Sequence, residues 1–143
     1  MSREIEIRDR IVRLDPAAFQ SLSQELLTQR YGYDKPTHRG SATHSAATAP
    51  GTPDTIWSLP DGKFAFLECG HYPEKAEAKN KIEADIRKCL DAEKKELKPG
   101  QLVKIVIAYS CRRLTGSDLS YLRDIDGRVD LVGPDEMAMW LAC

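Results

Sequence analysis

The segment from 101 to 110, Q-L-V-K-I-V-I-A-Y-S, constrains the fold more than any other part of the sequence. Its valines and isoleucines predict a β-strand. Apolar side chains occupy both of the alternating faces of this strand, which is typical of a strand that is covered on both sides. We therefore expect this segment to be a central strand of a sheet that is flanked by helices.

The size and composition fit one domain of this kind. The chain has 143 residues, of which 41% are hydrophobic, and this is enough for a sizeable core. Its 21 basic and 22 acidic residues give a net charge of −1, so nucleic-acid or membrane binding would need a local patch.

No apolar run reaches the length of a membrane span, and the charged N-terminus does not resemble a signal peptide, so we expect a cytoplasmic protein without membrane contact. We also expect reduced thiols, because no C-x-x-C pair occurs among Cys69, Cys89, Cys111 and Cys143.

Helix and turn signals divide the rest of the chain into elements. Asp15-Pro16 predicts the start of a helix, Pro60-Asp61-Gly62 predicts a hairpin turn, and Pro99-Gly100 predicts the end of a long helix. Residues 3–14 fit either a strand or a helical turn, and 32–53 are predicted to form a long loop. The predicted elements in chain order are a helix from 15 to about 31, hairpin strands at 55–59 and 63–68, a helix from 73 to about 98, the strand at 101–110, a helix near 116–123, a strand at 128–132 and a helix from 134.

Two acidic residues lie at the ends of the predicted hairpin strands. Asp54 opens the first strand and Glu68 ends the second. Acids are depleted in strands, because a carboxylate beside buried apolar side chains loses solvation unless a partner compensates it. A shared metal ion is the first candidate partner, and hard oxygen ligands favour Mg²⁺, which serves phosphodiester hydrolysis. Two simpler readings stay open, in which Asp54 only forms a turn and Glu68 only pairs with a surface lysine.

These motifs resemble the PD-(D/E)XK nuclease superfamily, which has the restriction-endonuclease-like fold. The resemblance is carried by Pro53-Asp54, the hairpin, Glu68-Cys69-Gly70 and the helix behind them. Residues 18–33, A-F-Q-S-L-S-Q-E-L-L-T-Q-R-Y-G-Y, are similar to the first helix of the Mrr-type branch. The similarity covers roughly residues 17–110. It implies an α/β fold for residues 1–143, a mixed β-sheet flanked by helices with an αβββαβ core.

The resemblance also implies an activity and a ligand set. It predicts a Mg²⁺-dependent endonuclease that hydrolyses DNA phosphodiester bonds, with Mn²⁺ able to substitute. Asp54, Glu68 and the backbone carbonyl of Cys69 would hold the metal. A zinc site is the other metal hypothesis, but no dependable ligand spacing relates its candidates, which are His38, His44, His71, Cys69 and Cys89.

The sequence departs from the family pattern at two positions. The family's lysine, two residues after the second acid, is Gly70 here. Some members move this lysine to the following helix, where Lys79 is our first candidate and Lys75 our second. The acid of the first helix is replaced by Gln20, and Glu25 lies on a different helical face. Without a replacement lysine, the alternative is a catalytically silent module that binds nucleic acid or protein.

The expected partners follow from the same resemblance. A nuclease that cuts both strands of DNA works most simply as a homodimer with two sites, and such domains often serve as effectors of bacterial antiviral defence or restriction proteins. We therefore expect this chain to be an N-terminal effector module of a larger protein. The expected phosphate contacts are Arg39, Arg112 and Arg113.

Overall fold

A computed structural model of the protein describes residues 2–34, 36–38, 53–72, 75–111 and 114–142. Its centre is a mixed five-stranded sheet in the order β1-β2-β3-β4-β5. The first three strands are antiparallel, whereas β3, β4 and β5 are parallel. The strands are β1 (Pro36–His38), β2 (Thr55–Leu59), β3 (Lys63–Gly70), β4 (Leu102–Tyr109) and β5 (Val129–Val132).

Helices cover both faces of the sheet, as predicted. One face carries α1 (Arg3–Arg13), α2 (Pro16–Tyr31) and α5 (Pro134–Ala142), and the other carries α3 (Lys75–Glu96) and α4 (Gly116–Arg123). The interior position of β4 between β3 and β5 explains why its sequence is apolar on both faces. Within the described residues, no helix is both long and apolar enough to cross a membrane.

The alternation of side chains along the strands divides the core into two layers. Phe66 of β3 faces α3, whereas its neighbour Leu67 faces α2 and α5. Buried side chains of the α3 layer include Ile56, Phe66, Ile82, Ile86, Ile105 and Ile107. Buried side chains of the opposite layer include Phe19, Leu27, Trp57, Leu67, Val106 and Met137.

Local signals set the ends of the predicted elements. The Asp15 carboxylate accepts a hydrogen bond from the Ala18 N–H at 2.8 Å and caps α2, which ends at Gly32 in the left-handed region. Asp61 and Gly62 both have positive φ, 64° and 70°, as a tight turn between antiparallel strands requires. This turn fixes the register of β2 against β3.

Two segments differ from the simplest sequence reading. The undecided residues 3–14 form α1, because Ser2 caps the Ile5 N–H at 3.2 Å and charges of suitable sign lie in the first and last turns. The predicted loop from 32 to 53 contains β1, which pairs with β2 and extends the sheet by one edge strand. Three residues are too few for a strand signal in the sequence, and residues 39–52 lie outside the described part.

Arg128 joins α3, β4 and the turn before β5, and we expect Arg128→Met to destabilise the fold by about 1–3 kcal/mol. Its guanidinium donates to both carboxylate oxygens of Glu93 at 2.6 and 3.0 Å, to Asp126 at 2.9 Å and to the Leu102 carbonyl at 3.2 Å. Urea unfolding measures the loss. Arg87→Met is the control, because Arg87 is more exposed and bonds only Glu83 among the described contacts, and it should cost about 0.5 kcal/mol or less. Equal losses in the two variants would contradict the role of Arg128.

Candidate metal and phosphodiester site

The register of the hairpin brings the two predicted acids together. Thr55 pairs with Leu67, so one further step along the antiparallel strands sets Asp54 opposite Glu68. Asp54 Oδ2 accepts a hydrogen bond from the Cys69 backbone N–H at 2.8 Å, which fixes the carboxylate at the end of β3. Glu68 is only 3% exposed and follows Phe66 by two residues, so it lies on the side of the sheet that faces α3.

Burial changes the protonation of this acid pair. Desolvation, followed by the hydrogen bond and the negative charge of Asp54, raises the pKa of Glu68 from 4.5 to about 9. In the metal-free protein at neutral pH, the raised pKa keeps the Glu68 carboxyl protonated.

Lys88, in the middle of α3, is the cation that the structure brings to this pair. Its ammonium nitrogen lies 2.9 Å from Glu68 Oε2, and its side chain is 30% exposed. Burial acts to lower the pKa of Lys88, but the hydrogen bond to Glu68 and the charges of Glu68, Asp85 and Asp54 outweigh it and raise that pKa. The ammonium is therefore charged at neutral pH, beside both acids and open to solvent on one side.

The space above Gly70 is filled by Tyr72. A Cβ atom at position 70 would lie 1.9 Å from the Tyr72 hydroxyl oxygen, so no larger residue fits there while Tyr72 keeps its place. The Tyr72 hydroxyl donates to Asp85 Oδ2 at 2.5 Å. Burial, then the charge and hydrogen bond of Asp85, raise the pKa of Tyr72, so the hydroxyl remains a donor. The family's lysine position is therefore sterically closed in this chain.

Cys69 contributes to the site through its backbone rather than its thiol. Its side chain lies on the face of the sheet opposite Glu68, in the core layer that packs against α2. Burial, then the charges of Asp54 and Glu68, raise the pKa of the Cys69 thiol well above its usual value. A neutral, buried thiol is a poor metal ligand, so only the backbone carbonyl of Cys69 remains as a candidate.

The predicted lysines are not the ones that the structure brings to the acids. Lys79, our first candidate, holds its ammonium 4.2 Å from the centre of the Tyr121 ring, on the side of α3 that faces α4. Lys88, rather than Lys79, is the α3 lysine whose ammonium contacts Glu68, and the catalytic role of an α3 lysine stays a prediction. The side chain of Lys75, our second candidate, is outside the described part, and so are all three predicted phosphate contacts, Arg39, Arg112 and Arg113.

The family pattern places an acid on the helix that corresponds to α2, but the described part of α2 offers only Glu25, which we had already given little weight. Gln20 is half-buried, whereas Glu25 is exposed. Three site residues were missed altogether: Tyr72, Asp85 and Lys88. Their one sequence signal is the spacing of Asp85 and Lys88, which lie three residues apart on α3 beside the buried positions Ile82, Ile86 and Cys89.

The residues present fit a divalent cation held by oxygen atoms. No group of three or more histidine, cysteine, aspartate or glutamate side chains converges within the described residues. An ion at this site would thus depend on the Asp54 and Glu68 carboxylates and a backbone carbonyl, which are the hard ligands that Mg²⁺ takes. His71, one of the zinc candidates, instead meets Ser110 Oγ through Nδ1 at 2.7 Å.

Comparisons with known proteins give a structural match without a sequence match. No family model matches the chain, and no curated protein matches it in sequence. The structure of restriction endonuclease FokI superposes with a TM-score of 0.52 at 13% identity, over 95% of this chain and 26% of that one. The structure of FokI bound to DNA gives a TM-score of 0.43 at 15% identity, again over 95% of this chain and 26% of that one.

The match to FokI establishes the fold. The chain has the restriction-endonuclease-like α/β fold with a mixed sheet flanked by helices, as the sequence predicted, and the sheet has five strands. It spans about a quarter of the length of the FokI chain.

Proposed function

We propose that this chain is a metal-dependent endonuclease that hydrolyses DNA phosphodiester bonds. The observation that supports this most directly is the buried Asp54–Glu68 pair with the Lys88 ammonium 2.9 Å from Glu68, on a restriction-endonuclease-like sheet. A buried acid with a raised pKa that has a specific charged partner marks a candidate functional site. The similarity of α2 to the first helix of Mrr-type nucleases also supports a nuclease activity.

Each side chain has a separate part in this proposal. Asp54, Glu68 and the Cys69 carbonyl would hold Mg²⁺, with Mn²⁺ as a substitute. When bound, the ion supplies Lewis-acid stabilisation of the phosphate and an activated water. Lys88 places a fixed positive charge where negative charge develops on the phosphate oxygens. The Cys69 N–H holds the Asp54 carboxylate in one orientation, so the site is largely preorganised.

The proton on Glu68 makes metal binding depend on pH. Glu68 must release this proton before its carboxylate can act as a ligand, and its pKa is raised to about 9. Metal affinity should therefore increase as the pH rises toward that value.

We further propose a setting for this activity. Arg39, Arg112 and Arg113 contact DNA phosphates, and two copies of the chain act together to cut both strands. The chain is the N-terminal effector of a larger bacterial defence or restriction protein. Support for this setting comes from the structural match to FokI, a restriction endonuclease, of whose length the chain covers about a quarter.

Incubation with supercoiled plasmid tests the activity. We expect nicked and linear DNA in the presence of Mg²⁺ or Mn²⁺ and none in EDTA, with Asp54→Asn prepared in parallel to detect a contaminating nuclease. A labelled RNA of the same sequence separates a DNase from an RNase. Plasmid that is bound but not cut at any metal concentration would contradict the nuclease proposal and favour the silent binding module.

A further inference from the structure

We propose that Tyr72 and Asp85 are positioning residues that replace the strand-borne lysine of this fold: Tyr72 fills the space above Gly70, and through Asp85 it holds the Lys88 ammonium against Glu68. The role assigned to Lys88 rests on the proposed function. The positioning itself is a property of the metal-free protein and can be measured without any cleavage.

The first step of the argument is steric. The three atoms nearest to a Cβ at position 70 all belong to the Tyr72 ring, at 1.9, 2.0 and 2.4 Å. Real Cβ contacts of this length do not occur, so a side chain at position 70 and the present Tyr72 exclude each other. Tyr72 is 6% exposed and packs in the core layer beneath α3, so its ring cannot turn outward at little cost. Gly70 is therefore required by Tyr72.

The second step is the link from Tyr72 to Lys88. The Tyr72 hydroxyl bonds Asp85 Oδ2 at 2.5 Å, and Asp85 lies three residues before Lys88 on the same side of α3. Lys88 lies one helical turn beyond Asp85 on α3, and its ammonium nitrogen lies 2.9 Å from Glu68 Oε2. Lys88 has a long side chain with one exposed side, so it would otherwise be free to extend into solvent. The fixed Asp85 charge and Glu68 together confine its ammonium to the acid pair.

A double-mutant cycle tests the steric step. Gly70→Ala should lower the melting temperature by roughly 5 °C or more, because the added methyl group overpacks a closed space. Tyr72→Leu removes the ring atoms that the methyl group would meet but keeps apolar volume. In the Tyr72→Leu background, Gly70→Ala should change the melting temperature by about 1 °C or less. An equal loss in both backgrounds would overturn the proposal.

Chemical labelling of lysines tests the positioning step in metal-free protein. Tyr72→Phe keeps the ring and removes only the hydroxyl, so Lys88 should react with an acetylating reagent about threefold faster or more, relative to the exposed Lys94. The matched control is Tyr121→Phe, which removes a similar bond from Tyr121 to Glu83 at 2.9 Å elsewhere on α3. Its Lys88 labelling should equal that of the parent. Mass spectrometry of the peptides gives both rates.

The kinetic consequence separates positioning from general stability. Tyr72→Phe should lower kcat for plasmid cleavage about tenfold with KM unchanged, whereas Tyr121→Phe should change neither. Faster labelling of Lys88 in a protein that never cuts DNA would contradict the proposed function and leave the positioning role supported. Unchanged labelling of Lys88 in Tyr72→Phe would overturn the positioning role, whatever the cleavage assay shows.

Discussion

Glu68→Gln is expected to reduce DNA cleavage by about a thousandfold or more and, at the same time, to stabilise the metal-free protein. Cleavage falls because an amide is a far weaker ligand for Mg²⁺ than a carboxylate. Stability rises because Gln keeps the size and the hydrogen-bonding ability of a protonated Glu68, whereas folding of the parent at neutral pH requires Glu68 to take up a proton that the unfolded chain has released. Initial rates of plasmid nicking and urea unfolding in EDTA measure the two effects.

The stability gain should depend on pH in a defined direction. Below pH 4.5 the Glu68 carboxyl is protonated in both the folded and the unfolded chain, so it contributes no difference. Between pH 4.5 and about 9 the unfolded chain loses this proton while the folded protein keeps it, so the parent loses stability as the pH rises. At pH 7 the accumulated loss is on the order of 3 kcal/mol, and Glu68→Gln should be more stable than the parent by up to about this amount.

Two further variants make the test specific. Asp54→Asn removes the negative charge that helps to raise the Glu68 pKa but leaves Glu68 buried, so part of the pH dependence of stability should remain. It also removes a proposed metal ligand, so it should abolish cleavage. Asp91→Asn changes an exposed acid of α3 and should match the parent in both assays. A Glu68→Gln protein that cuts at the parent's rate would show that the metal site is elsewhere. A parent whose stability is flat between pH 5 and 9 would show that Glu68 is not buried in its acid form.

The acid pair could be predicted from the sequence because it depends on local structure. Asp61 and Gly62 demand a tight turn, the turn fixes the pairing of β2 with β3, and the pairing brings Asp54 opposite Glu68. Every step lies within fifteen residues. The same locality explains why the caps of α2 and the bounds of α4 could be predicted.

The contact of Lys88 with Glu68 could not be predicted in this way, because it depends on how α3 packs on the sheet. Lys79 was expected on the side of α3 that faces the sheet, but its ammonium lies over the Tyr121 ring of α4. Lys88, in the middle of α3, is the lysine whose ammonium lies 2.9 Å from Glu68 Oε2. Helical periodicity gives the face of a residue but not its position along the sheet.

Gly70 shows a second limit of the same kind. In the sequence, a glycine in place of the motif lysine is equally consistent with lost activity and with relocation of the charge. Only the packing of Tyr72 against position 70 shows that the space is occupied, and only the contact of Lys88 with Glu68 shows that a cation is still present. The contact of Lys88 with Glu68 joins the middle of α3 to β3, and the order of these residues in the chain does not predict their distance.

Lys88→Met is expected to lower the rate of DNA cleavage by about a hundredfold, which corresponds to a few kcal/mol of transition-state stabilisation. Methionine keeps much of the length and apolar character of the lysine stem, so α3 should still pack and DNA binding should stay within about twofold of the parent. The loss should appear in kcat rather than in KM, because the Lys88 charge acts on negative charge that develops during the reaction. Single-turnover cleavage at saturating Mg²⁺ and fluorescence anisotropy with a short duplex separate the two quantities.

Variants of other α3 lysines test whether the expected loss of cleavage rate is specific to Lys88. Lys94→Met removes an exposed lysine from the same helix and should retain the parent's rate, which excludes an effect of net charge on DNA association. Lys79→Met should also cost little, because the Lys79 ammonium lies over Tyr121 and not beside the acids. A large loss in Lys79→Met with a small one in Lys88→Met would return the catalytic role to the helix start and mean that α3 shifts when DNA binds. Small and equal losses in all three variants would leave the Asp54–Glu68 pair without a catalytic cation from α3, and the chain would then resemble a binding module more than a nuclease.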